Sequence, residues 1–217
     1  MISSSENSRF LNSLITGSRL KCFEFIDNLL SNNVAVEDIY EDYIRKALYD
    51  IGEMWEYGKI SVASEHLATM IVETILNELY LKVITDNKVN KKVVTACGEN
   101  EFHQVGIKMV THIFDMSGWN TFLLGANVRT TDLINFISDV KPDLIAISVS
   151  MDFYLPNLEN MLESIRDKFS DLPVMVGGQA FRHGGQDILM EYKNVSYVSD
   201  LYRVEQFLKK QYPKFNQ

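Results

Sequence analysis

Two patterns of apolar positions divide the chain. From about Asn7 to Ile84, apolar residues recur at helical spacing. Ile39, Tyr43, Ala47 and Ile51 step by four, as do Leu67, Ile71, Ile75 and Leu79, with Met70, Val72 and Leu76 widening the second stripe. Glycine occurs here only at positions 17, 52 and 58, and proline not at all. The spacing predicts three or four helices, near 7–16, 18–31, 36–56 and 61–84. Short polar links such as Ser31-Asn32-Asn33 and Tyr57-Gly58-Lys59 suit antiparallel neighbours, so a four-helix bundle over 1–86 is expected.

After the polar linker Asp86-Asn87-Lys88-Val89-Asn90-Lys91 the period changes. Short apolar runs begin at Val93, Thr121, Leu144 and Val174, with a weaker one near Ser196–Val198. Amphipathic stretches near 104–117, 130–139, 155–169 and 181–191 separate them, and a terminal helix follows. Strands buried on both faces and alternating with helices predict an α/β domain over 90–217. Its sheet should be doubly wound, parallel and flavodoxin-like (Rossmann-like). Such sheets bind ligands at the carboxyl ends of their strands.

Composition narrows the functional classes. With 46% apolar and 23% charged residues the chain is globular. The net charge of −8 is spread over both parts: residues 1–85 carry 7 basic and 13 acidic side chains, the remainder 14 and 16. Neither part has a basic excess, which disfavours direct nucleic-acid binding. Cys22 and Cys97 are too few for a disulfide framework or a thiolate metal site. The start lacks a signal-peptide pattern, and no run of apolar residues is long enough to span a membrane. A cytoplasmic protein with reduced thiols and no membrane contact is expected.

The chemistry concentrates at predicted strand ends. The first strand leads into Cys97-Gly98-Glu99-Asn100-Glu101-Phe102-His103-Gln104-Val105-Gly106. Imidazole is the commonest metal ligand, and a carboxylate two residues earlier can take the proton of the ring nitrogen that does not hold the metal. Gly106 permits close backbone approach where a helix begins. Forty-one residues separate Gly106 from Ser148-Val149-Ser150, and twenty-six separate Ser150 from Gly177-Gly178. Taken singly, each element has an ordinary reading: a solvated loop histidine, serines closing a strand, a glycine turn.

Together they resemble the cobalamin-binding domain of corrinoid proteins, whose pattern is Asp-x-His-x-x-Gly, then Ser-x-Leu, then Gly-Gly. The resemblance covers roughly residues 90–215. It implies a corrinoid bound base-off and histidine-on. His103 would be the lower axial ligand of cobalt, Glu101 would orient it, and Gln104, Val105 and Gly106 would complete the loop under the cofactor. Ser148, Ser150, Gly177 and Gly178 would hold the nucleotide tail. Two positions depart from the pattern: Glu101 stands for aspartate and Ser150 for leucine.

The helical part carries Trp55, nine intervening residues, then Glu65-His66. Their ordinary readings are a core aromatic, a first-turn acid favoured by the helix dipole and a boundary histidine. Ahead of a Glu-x-His-x-x-Gly domain, however, this arrangement resembles the adenosylcobalamin-dependent photoreceptors, the light-sensing MerR-type repressors and their relatives. The resemblance implies that Trp55, Glu65 and His66 line the cavity of the adenosyl group and that light breaks the Co–C bond. The chain would be a sensor rather than an enzyme. It would act by self-association as a homo-oligomer or through a regulatory partner protein. The bundle begins almost at Met1, where those repressors have a winged-helix domain. Glu56 stands where some have a cobalt-capturing histidine, with His66 as a substitute ligand. His112 is expected on the first helix of the α/β domain, and His183 at the edge of the tail pocket or the surface.

Some compact relatives also bind a linear tetrapyrrole such as biliverdin. Tyr57, Phe153, Tyr154 and Arg182 are the candidate bilin contacts. The main alternative is a methyl-carrying corrinoid protein of a methyltransferase system. A cobalamin mutase subunit and an antirepressor acting on a transcription factor are two others.

Overall fold

The computed structural model describes residues 4–211, and the chain separates into two compact units between Val83 and Ile84. The first unit is wholly helical. It contains α1 (Ser4–Ile15), α2 (Arg19–Ser31), a continuous run from α3 (Val36–Asp38) through a π-helical segment (Ile39–Arg45) into α4 (Lys46–Glu56), and α5 (Val62–Val83). Its core joins Phe10 and Leu14 of α1, Cys22, Ile26 and Leu29 of α2, Ile51 of α4, and Ile71, Ile75 and Leu79 of α5. The entry to α5 is capped: Ser64 N donates to Ser61 Oγ at 3.1 Å, satisfying one of the helix's otherwise unpaired N–H groups.

The apolar stripes are partly misplaced by a strict four-residue step. A π-helix takes more residues per turn, so its buried residues are Ile39, Tyr40, Glu41 and Ile44, and Tyr43 is only half-buried. From Ile44 the normal period resumes at Ala47 and Ile51. In α5 the inward face holds Ala68, Ile71, Val72, Ile75, Leu76, Leu79 and Val83, whereas Leu67 and Met70 are exposed.

The second unit is built on five parallel strands: β1 (Lys92–Cys97), β2 (Asn120–Gly125), β3 (Leu144–Ser148), β4 (Val174–Gly177) and β5 (Val195–Val198). Their order is β2-β1-β3-β4-β5, the flavodoxin-like arrangement expected. Helices α6 (Val105–Met116), α7 (Thr130–Val140), α8 (Leu155–Lys168) and α10 (Leu201–Gln211) accompany the sheet. Strand β3 is buried at every position, and so is β1 after Lys92, which explains their continuous apolar runs. The predicted helix over 181–191 is instead a 3-10 turn (Gln179–His183) and the short α9 (Asp187–Met190). Gly184 and Gly185, at φ +123° and +86°, break it. The predicted linker is not loose: Val89 N donates to Gly118 O at 2.8 Å and Asn120 N to Lys91 O at 2.8 Å. Among the described residues, no helix is long and apolar enough to cross a membrane.

Candidate functional site

Sheet register aligns the motif residues. Cys97 pairs with Ser148, Ser148 with Gly177, and Gly177 with Val198, one row across the carboxyl ends of β1, β3, β4 and β5. The order reverses between β1 and β3, the place at which open parallel sheets bind ligands. The loop leaving β1 opens with Gly98 N donating to Ser148 O at 3.0 Å.

Glu101 is the centre of that loop. Its side chain is fully buried, and both carboxylate oxygens are engaged. Oε1 accepts from His103 N at 2.9 Å and lies 2.5 Å from His103 Nδ1. Oε2 accepts from Ser150 N at 2.7 Å and Met151 N at 3.1 Å. Burial opposes ionisation, but the donors from His103 and Ser150 outweigh it and hold the carboxyl below its usual range. An ionised acceptor fixes the ring proton on Nδ1, which places the lone pair on Nε2, the nitrogen a metal takes. The His103 side chain is 52% exposed.

The glycines divide by environment. A Cβ on Gly178 would lie 2.1 Å from Val149 O, at φ +118°, and one on Gly177 would lie 2.7 Å from Val198 O. This pair is required by the protein's own backbone. A Cβ on Gly106, in the first turn of α6, would meet only Ser148 Oγ, at an ordinary 3.5 Å. Ser148 is buried, and its hydroxyl hydrogen-bonds no described residue. Gln104 precedes α6, with its Oε1 2.9 Å from the position of a Cβ on Gly125, and Val105 is buried.

In the helical unit, Trp55 near the end of α4 is 43% exposed. Glu65 ends the first turn of α5 and His66 follows it; Glu65 Oε2 lies 2.5 Å from His66 Nδ1 and Oε1 accepts from Thr69 Oγ1 at 2.9 Å. Trp55 is therefore not a core aromatic, and His66 is an oriented imidazole at the surface of its unit. Glu56 is exposed and His112 is buried in α6. Phe153 is exposed and meets Tyr154 edge-on, Arg182 and Tyr57 are exposed, and the His183 side chain lies outside the described residues.

The B12 binding domain family matches residues 91–199, half of the chain, and a second B12 binding domain family matches residues 7–80. The chain belongs to the B12-binding family. It is 29% identical to the HTH-type transcriptional repressor CarH of Myxococcus xanthus over 66% of this chain and 48% of that protein. It is 25% identical to dimethylamine corrinoid protein 3 of Methanosarcina acetivorans over 67% of this chain and 70% of that one. The chain thus spans about half the length of the repressor. Its fold superposes on the monomethylamine corrinoid protein of Methanosarcina barkeri with a TM-score of 0.81, at 14% identity, covering 94% and 96% of the two chains.

The donor set of this B12-binding domain suits a cobalt carried inside a corrin ring. Among the described residues, no group of three or more His, Cys, Asp or Glu side chains could hold a bare ion. The oriented His103 imidazole would be this domain's donor to the cobalt of a corrinoid, whose ring would supply the remaining nitrogen donors. Sequence reasoning missed the residues that brace the loop. Glu99 Oε2 accepts from Thr130 N at 3.1 Å and Thr130 Oγ1 at 2.6 Å, which holds its carboxyl below the usual range. Asn157 Nδ2 donates to Glu99 O at 3.1 Å, and Asn127 N donates to Glu101 O at 2.7 Å. Their only sequence signal is that all lie in the loop itself, in the β2–α7 connection or early in α7 and α8.

Proposed function

We propose that this chain is a cobalamin-dependent photoreceptor that binds adenosylcobalamin base-off through His103. In this reading it turns over no substrate, and light changes its self-association or its contact with a regulatory partner protein. The His103–Glu101 pair at the strand-end row, in a family that binds B12, carries the cofactor assignment. Ser148, Ser150, Gly177 and Gly178 are the proposed tail-side contacts, with Gly106 leaving room beside Ser148. Trp55, Glu65 and His66 are the proposed contacts from the helical unit. Adenosylcobalamin, when bound, supplies a cobalt–carbon bond that visible light breaks.

What supports the sensor reading is Trp55. A large indole left 43% exposed offers a broad apolar face for an adenosyl group, and Glu65 offers an acceptor for a ribose hydroxyl. A methyl carrier needs access for a small methyl donor instead. That second reading is favoured by the 25% identity to dimethylamine corrinoid protein 3.

The test is the visible spectrum of the purified protein with adenosylcobalamin, in the dark and after green light, beside His103→Ala and Trp55→Ala. We expect an irreversible light-driven change, loss of the histidine-ligated signature in His103→Ala, and weaker adenosylcobalamin retention in Trp55→Ala. Tight binding with no light response beyond that of the free cofactor, and indifference to Trp55→Ala, would establish the methyl carrier instead. A band outside the corrinoid spectrum in protein purified from cells would add a bilin such as biliverdin.

A further inference from the structure

The sheet ends on β2, which pairs with β1 and with no other described strand. Asn120 N donates to Lys91 O at 2.8 Å, so Asn120 and, two residues on, Phe122 direct their backbone groups to β1. The alternate residues, Thr121 and Leu123, turn their N–H and C=O groups outward. Open edges invite another strand, and proteins usually blunt them with charge, proline, bulges or brevity. The opposite edge is brief, because β5 has four residues. Strand β2 has six, Asn120–Gly125, with neither charge nor proline, and its register shift comes only after Leu123. Leu123 is 39% exposed.

Where β2 runs on toward α7, a cavity of about 430 Å³ is lined by Leu124, Asn127, Val128, Arg129, Asp132 and Phe136. Leu124, Val128 and Phe136 make its apolar wall, and Phe136 meets Phe122 edge-on at 6.0 Å. Asp132 and Asp139, four residues before Phe136 and three after it, share its side of α7 and are exposed. Arg129 pairs with Asp132 at 2.7 Å, which leaves the flank acidic at Asp139. An open edge beside an apolar pocket is the arrangement by which extended peptides add to sheets. Main-chain hydrogen bonds give affinity, and the pocket selects a side chain.

We propose that β2 is a docking edge for an extended segment of a partner protein, one that sets an aromatic or large aliphatic side chain in this cavity between basic residues. A second copy of this chain fits less well. Its β2 has the same backbone, but its Phe122 and Leu124 pack against its own core and are not free to fill the cavity. The acidic flank and the net charge of −8 also favour a basic segment over another copy of an acidic chain. The inference stands apart from the photoreceptor reading, since none of these residues is assigned to the cofactor.

The test uses the full chain and the peptide Lys-Thr-Val-Phe-Val-Thr-Lys, with its tryptophan and leucine counterparts, followed by fluorescence anisotropy and residue-resolved amide exchange. We expect saturable binding below about 1 mM. Exchange at Thr121 and Leu123 should slow by about 10-fold or more, while Phe122, already bonded to β1, should not change. Replacing the phenylalanine by alanine should weaken binding at least about 10-fold, and replacing both lysines by glutamate should weaken it too. A peptide N-methylated at alternate residues, which lacks the donors and keeps the side chains, should not bind. On the protein, Leu123→Pro removes an outward N–H and Leu123→Lys charges the edge. An edge strand tolerates both, and both should abolish binding.

No saturable binding by any of the three peptides up to about 1 mM overturns the proposal. So does binding that survives N-methylation or leaves exchange at Thr121 and Leu123 unchanged. Protection of these two amides without peptide overturns it as well. Protection that rises with protein concentration would assign the edge to a second copy, and protection independent of concentration would mean that the chain covers its own edge.

Discussion

Gly106 and Gly178 belong to the same motif, yet their surroundings predict opposite behaviour on substitution by alanine. At Gly178 the added Cβ would sit 2.1 Å from Val149 O, an atom of the neighbouring backbone that no rotamer change can move, and the residue would be held at φ +118°. Strain of this kind costs about 1–3 kcal/mol, and relieving the overlap costs about 1–3 kcal/mol more. Together, roughly 4 kcal/mol is a large share of the ~5–15 kcal/mol that stabilises a domain. At about 2–4 °C per kcal/mol, Gly178→Ala should lower Tm by roughly 10–15 °C in protein free of cofactor.

At Gly106 the Cβ meets only Ser148 Oγ at 3.5 Å, and alanine is the better helix former by up to about 1 kcal/mol. Gly106→Ala should therefore keep or slightly raise Tm while weakening corrinoid binding, because the methyl enters the space beside Ser148. Thermal unfolding followed by circular dichroism, without and with hydroxocobalamin, separates the two. A Gly178→Ala protein as stable as wild type, or a Gly106→Ala protein that binds the corrinoid normally, would refute the reasoning.

Three other outcomes follow from the same geometry. Burial, then the nearby Lys108 charge, push the His112 imidazole down to about 4, so the folded chain resists a proton that the unfolded chain accepts below 6.5. The stability this contributes is complete above pH 6.5 and is lost as pH falls toward 4, by about 2 kcal/mol at pH 5. Urea titrations at pH 7 and 5 should show His112→Gln losing less stability than wild type over that interval. Thr130→Val, which removes the hydroxyl donor to Glu99, should cost about 1 kcal/mol in denaturant midpoint at pH 7. His103→Ala removes a ring donor from the fully buried Glu101 carboxylate and should lower the cofactor-free Tm by roughly 3–12 °C, because losing a hydrogen bond to a charged group costs about 1.5–3 kcal/mol.

Elements set by local patterning were legible in the sequence. Continuous apolar runs located β1 and β3, and the four-residue step located α5. Where prediction failed, a local rule was broken by a feature with no distinctive composition. The π-helical segment buries Tyr40, Glu41 and Ile44 and leaves Tyr43 half-buried, yet Ile39–Arg45 contains nothing that forbids an ordinary turn. In α5 the abundance of apolar residues hid which of them face inward, so the stripe read from spacing includes Leu67 and Met70 although they are exposed. The helix expected over 181–191 carried its own warning in Gly184-Gly185, whose positive φ values end the helical path.

The site shows the same limit on a longer scale. The pairing of Glu101 with His103 spans two residues and could be inferred from chemistry alone, because a carboxylate that near an imidazole has one obvious use. The second oxygen of the same carboxylate serves Ser150 and Met151, 49 and 50 residues away, through backbone N–H groups that every non-proline residue possesses. Such a bond has no side-chain signature, and only the register that sets Cys97 beside Ser148 makes it possible. The departures from the family pattern gain a physical sense in this light. Glutamate at 101 reaches the Ser150 and Met151 amides, at 2.7 and 3.1 Å. The residue at 150 is used through its N–H, so that contact tolerates serine as readily as leucine. Substituting Ser150 by leucine should therefore spare the Glu101 network, while proline, lacking the N–H, should break it.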